Sequence, residues 1–162
     1  MNAPLLIFAY GNPARGDDAL GPLLAQQAEQ WVAVQGLGPQ VEVLSEYQLS
    51  PEHAYDLLER QHVIFIDAAT QQASDCVWQT LTATAPALWT SHASSPAALL
   101  WYCQDLLQHP APRSEMLSLA AQDFELGAGL SPRGQCALAA GWPELRRRIE
   151  IEAELMLASC PK

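Results

Sequence analysis

The sequence predicts an α/β protein: a three-layer α/β/α sandwich around a mostly parallel, five-stranded sheet. Three observations predict it. Apolar runs of strand length alternate along the chain with stretches of helical periodicity, which implies parallel crossovers with helices on both faces of a sheet. Two of the runs, Leu5-Leu6-Ile7-Phe8-Ala9-Tyr10 and Val63-Ile64-Phe65-Ile66, are apolar at every position, as strands covered on both faces must be. Each then stops abruptly, the first at Gly11-Asn12-Pro13 and the second at Asp67.

The elements follow in order. After the first strand, Leu20, Leu23, Leu24, Ala28 and Trp31 recur at helical spacing, with Asp17 or Asp18 as N-cap candidates and Pro22 tolerated in the first turn. Val41-Glu42-Val43-Leu44 alternates as a second strand. Ser50-Pro51-Glu52 opens a short helix with Ala54, Leu57 and Leu58 on one side. Val63–Ile66 is the third strand, Trp78–Thr84 the fourth, and Met116–Leu126 the fifth. Val41–Tyr47 or Trp78–Thr84 is the place for an antiparallel pairing. Pro96–Leu107 reads as a helix beginning after Ser95. Ser131-Pro132 restarts a helix that Pro143 should kink or divide before Leu145, Ile149, Ala153 and Met156 continue it. Residues 1–162 form one expected domain, within the usual span of about 100–200 residues.

Composition narrows the function. Hydrophobic residues make up 49% and charged residues 16%, the balance of a globular protein. A formal net charge of −10 repels phosphate backbones and anionic lipid, so neither nucleic acid nor membrane is an expected partner. Arg146-Arg147-Arg148 reads as a solvated helix face. Cys76, Cys103, Cys136 and Cys160 have none of the paired spacings of zinc or redox sites, which suits reduced thiols in a cytoplasmic protein. The apolar run at Pro4–Tyr10 is too short for a signal-peptide core and has no basic flank, and no stretch is long enough to span a bilayer.

Open α/β sheets bind ligands beyond the carboxyl ends of their strands, so polar residues just after apolar strands are the ones that carry chemistry. Gly11 to Pro22 is one such place. Gly11 and Gly16 have the spacing of a phosphate-binding loop, but Asp17 and Asp18 stand where that loop needs Lys and Ser or Thr. Two carboxylates there favour a cation over a phosphate. Asp17 reads as a helix cap and Asp18 as a metal ligand. Asp67 is the second place, with two readings side by side: a turn aspartate capping nearby amides, or a group that meets a cation. The third is His92, in the polar loop Thr90-Ser91-His92-Ala93-Ser94-Ser95-Pro96. An imidazole with two carboxylates is a recognised donor set for zinc or nickel. His53, His62 and His109 fall in surface helix or connector positions. No spacing suggests a Ser-His-Asp or Cys-His nucleophile.

Gly11-Asn12 followed by Asp17-Asp18-x-x-Gly21-Pro22, together with Phe65-Ile66-Asp67-Ala68, resembles the two signatures of the hydrogenase maturation endopeptidase family. Tyr47-Gln48-Leu49-Ser50-Pro51-Glu52 and Gly127-Ala128-Gly129-Leu130-Ser131-Pro132 are similar to elements of one subgroup, so the likeness spans nearly the whole chain. It implies an aspartic-type, metal-dependent endopeptidase that removes the C-terminal peptide of a nickel-loaded nickel–iron hydrogenase large-subunit precursor. It also implies catalytic and metal-binding roles for Asp18, Asp67 and His92, with nickel arriving in the precursor and zinc or cadmium as substitutes. A monomer is the expected state. A non-catalytic metal-binding maturation scaffold and a small-molecule hydrolase on a similar sheet are the competing readings.

Overall fold

The computed structural model describes residues 2–86 and 94–158. Its five strands are β1 (Leu5–Tyr10), β2 (Val41–Glu46), β3 (His62–Ala69), β4 (Cys76–Leu81) and β5 (Arg113–Ala120), in the spatial order β2-β1-β3-β5-β4. The β1/β2, β1/β3 and β3/β5 pairs are parallel, and β4 runs antiparallel to β5 with Trp78 opposite Leu117. The sheet is therefore the mostly parallel five-stranded one that the sequence predicts.

Alternation along β1 and β3 explains their unbroken apolar character. Leu5, Ile7, Ala9, Ile64 and Ile66 face one side, where α1 (Leu20–Gln35) and α3 (Pro132–Ala158) cover them with Leu24, Ala28, Ala137, Leu145 and Ile149. Leu6, Phe8, Val63 and Phe65 face the other side, against a 3₁₀ helix (Pro51–Leu57) and α2 (Pro96–Trp101). Side chains from Leu5 to Phe8 and from Val63 to Ile66 have no solvent exposure. Each fully buried Leu, Ile or Phe contributes roughly 1.5–3 kcal/mol, so these central strands anchor the ends that carry the polar loops.

Several elements depart from the sequence reading. The short helix after Ser50 is 3₁₀, and the α2 helix passes into a π turn at Tyr102–Leu106. The fifth strand ends at Ala120 instead of Leu126, because the amides of Gln122 and Asp123 turn away to the Asp17 carboxylate. The last helix continues through Pro143 without dividing. Its buried face holds it: at Gly141 it lies so close to β5 that a Cβ would stand 2.6 Å from the Leu119 side chain.

The amino ends of β3 and β5 hold a partly buried charge cluster around His62, where a surface or connector histidine was expected. His62 is 1% exposed. Its Nδ1 accepts a 2.8 Å hydrogen bond from Arg113, and its Nε2 lies 3.0 Å from Glu115 Oε2. Glu152 of α3 approaches Nδ1 to 3.3 Å and also pairs with Arg113, while Arg148 pairs with Glu115. Arg148 lies over the Trp78 ring at 4.6 Å, and Arg146 bonds Glu150 at 2.9 Å beside Trp31. These two arginines thus fasten α3 to its neighbours, where a solvated face was expected.

Burial first, then the Arg113 charge, holds the His62 imidazole below its ordinary value of 6.5, against the opposing pull of Glu152 and Glu115. The unfolded chain therefore binds the proton more readily than the folded one, and the His62 contribution to stability is lost as pH falls below about 6.5. The melting temperature of the wild type should accordingly drop more steeply than that of His62→Gln between about pH 7.5 and about pH 5.5. Parallel curves from thermal melts across that range would remove His62 as the source.

Candidate functional site

The chain leaves β1 toward β2 over one face of the sheet and reaches β3 over the other, so the carboxyl ends of β1 and β3 border a topological switch point. Gly11, with φ of 144°, turns the chain at the tip of β1. A side chain there would collide with the Asp18 carbonyl. A 3₁₀ turn at Gly16–Ala19 then leads into α1. Gly21 seats the start of α1 directly on the strand tips, where a Cβ would lie 2.7 Å from the Tyr10 carbonyl oxygen and 3.0 Å from that of Ile66. Small residues in this loop thus bring Asp18 down onto the ends of β1 and β3.

The adjacent aspartates have opposite fates. Asp17 has no solvent exposure, and it caps no turn of its own helix. Its Oδ2 accepts hydrogen bonds from the amides of Gln122 at 2.7 Å and Asp123 at 3.1 Å and from the Ser131 hydroxyl at 2.6 Å. Its Oδ1 accepts from the Ser131 amide at 2.8 Å. Burial opposes ionisation, but the Ser131 hydroxyl and the three amides outweigh it and hold the carboxyl below the usual range. Gly134 makes room, since a side chain there would overlap the Asp17 carboxylate. Asp17 is therefore a staple between the loop after β1 and the start of α3, in place of the helix cap expected for it.

Asp18 is half-buried and accepts the Asn12 amide at 2.9 Å. Asp67 lies within β3, not after it, and its Oδ1 accepts the Ala68 amide at 2.8 Å. Burial pushes its carboxyl up to about 6; the Ala68 amide and the Tyr10 hydroxyl act in the opposite sense, and the Asp18 charge adds to the rise. The two aspartates are close enough to feel each other's charge. The Tyr10 phenol, at the end of β1, lies close to Asp67, and burial and then the Asp67 charge push it well above its usual range.

The structure thus brings Asp18 and Asp67 together, while His92 lies outside the described residues. Among the described residues no three His, Cys, Asp or Glu groups gather in a metal-holding arrangement. The paired aspartates form a hard oxygen donor set whose mutual repulsion a divalent cation would relieve, so their chemistry suits a metal ion. His53 sits in a capping box, its Nδ1 accepting the Ser50 amide at 3.0 Å and its ring edge-on to Phe8 at 5.3 Å. The sequence reading missed Tyr10 and Ser131. Tyr10 had one available signal, since it and Asp67 both fall on the face that carries Phe8 and Phe65.

No sequence-family model and no curated protein matches the chain. Solved structures do match it. The hydrogenase maturating endopeptidase HybD from E. coli superposes with a TM-score of 0.69 and 19% identity, over 90% of this chain and 91% of that one. The NiFe hydrogenase maturation protease HycI from Thermococcus kodakarensis gives 0.62 and 18%, over 94% and 91%. The hydrogenase 2 maturation peptidase from a Thaumarchaeota archaeon gives 0.61 and 16%, over 90% and 97%. The chain has the fold of the hydrogenase maturation endopeptidases.

The two aspartates should separate cleanly by mutation. Asp17→Ala strips several buried donors of their acceptor and should cost roughly 3–5 kcal/mol of stability. Asp18→Ala loses one half-buried hydrogen bond and should cost about 1 kcal/mol. Urea denaturation of both variants measures the difference, and equal losses would contradict the staple.

Proposed function

We propose that this chain is an endopeptidase that removes the C-terminal peptide from a nickel-loaded nickel–iron hydrogenase large-subunit precursor. The observation that carries the reading is the convergence of Asp18 and Asp67 at the tips of β1 and β3, within a fold shared with hydrogenase maturation endopeptidases. Nickel is part of the substrate in this reading. Asp18, Asp67 and His92 grip the ion, and the scissile bond is placed beside it. The Asn12 and Ala68 amides orient one oxygen of each aspartate by donating to it, Oδ2 in Asp18 and Oδ1 in Asp67. Zinc or cadmium would occupy the same donors.

The protein is proposed to act as a cytoplasmic monomer. Among the described residues no helix is long and apolar enough to cross a membrane.

Asp18→Ala and Asp67→Ala should each stop release of the peptide, measured as the mass of a nickel-loaded precursor incubated with the purified protein. Normal processing by either variant would assign that residue a structural role only, and binding of precursor without any cleavage by the wild type would make the protein a maturation scaffold. His92→Ala should weaken zinc binding by more than about tenfold, whereas His53→Ala should leave it unchanged. Equal affinities by calorimetry would take His92 out of the site.

A further inference from the structure

We propose that Tyr10 is a positioning residue for Asp67: its phenolic hydroxyl holds the carboxylate so that an oxygen stays turned toward a cation shared with Asp18. The inference rests on the cation-gripping reading of the site given above.

The placement follows from strand register. β1 and β3 run parallel with Ala9 opposite Ile66, so Tyr10 and Asp67 are the next pair along. Leu6, Phe8, Val63 and Phe65 occupy one face, and strand alternation puts Tyr10 and Asp67 on that same face at its outer end. The Tyr10 ring packs against the apolar cluster beneath it. A phenylalanine would serve that packing equally well. What the hydroxyl adds is a neutral donor to Asp67, because a phenol with an ordinary pKa near about 10 keeps its proton at neutral pH.

Asp67 needs that donor more than Asp18 does. Asp18 is fixed from its own loop by the Asn12 amide at 2.9 Å. Among the described residues Asp67 has, apart from Tyr10, the amide of the next residue, Ala68, at 2.8 Å, and it faces the like charge of Asp18. Repulsion would tend to turn a carboxylate held by that one amide away from its partner. A donor fixed to the neighbouring strand resists that rotation, as groups that bond to metal ligands from outside the site commonly do.

Tyr10→Phe, compared with the wild type, tests this through zinc affinity by calorimetry, the melting temperature, and kcat and KM for release of the peptide from nickel-loaded precursor. Phe8→Leu serves as the packing control, since Phe8 stacks on Phe65 at 5.8 Å in the same apolar layer. Tyr10→Phe is expected to bind zinc about tenfold more weakly and to lose kcat about tenfold. Its KM and melting temperature should stay near the wild-type values. Phe8→Leu should melt earlier with zinc affinity unchanged. A Tyr10→Phe protein that matches the wild type in zinc affinity and kcat overturns the inference. So does a Phe8→Leu protein that loses as much affinity as Tyr10→Phe. A wild type that neither binds zinc nor cuts the precursor overturns the underlying reading of the site, and this inference with it.

Discussion

A carboxylate cut off from solvent is tolerable only where donors replace the water it gives up. Asp17 meets that condition with partners more than a hundred residues away in sequence, the Gln122 and Asp123 amides and both polar groups of Ser131. The loop after β1, the segment after β5 and the first turn of α3 are thereby fastened at one point. Asp18 is the next residue, so the staple that locks the loop also fixes where Asp18 sits above the strand tips. Remove the staple and the neighbouring carboxylate loses its address.

The central strands explain why such a staple can be so exacting. β1 and β3 are buried on both faces, which makes their ends rigid, and Gly21 lets α1 approach their last carbonyls closely. The rigid strands hold Asp67, and the stapled loop carries Asp18. The site is thus assembled from two parts of the chain, each with little freedom of its own, which is the arrangement that keeps ligating groups in place before anything binds.

What the sequence disclosed follows the same division. Leu5–Tyr10 and Val63–Ile66 were legible because burial on both faces leaves no polar position, Asp67 because it ends the second run, and Asp18 because it stands in the glycine-bounded loop that follows the first. Asp17 and Asp18 are the same residue type side by side, and only the distant partners of Asp17 tell their roles apart. His62 read as a connector residue because its partners Glu115 and Glu152 lie on other elements. Pro143 read as a break because local propensity speaks for one turn, whereas Gly141, Leu145 and Ile149 hold the helix against the sheet on both sides of it. Tyr10 passed as the last apolar residue of a strand, since a phenol serves as core and as donor at once.

The proposed cation also suits the electrostatics of the site. A loop that turns tightly on Gly11 and leads into a helix is the usual setting for an anion, because the first amides of a helix lack partners and the helix dipole favours negative charge. In this chain Asp18 stands in the turn just ahead of that helix, with the Asn12 amide of the same loop as donor, so a negative charge is already present there. Asp67 adds a second carboxylate from the adjacent strand, and burial makes its charge costly. A phosphate entering this place would meet two repelling groups. A divalent cation would meet two oxygens already oriented by amide donors, and it would relieve both the repulsion between them and the cost of burying Asp67.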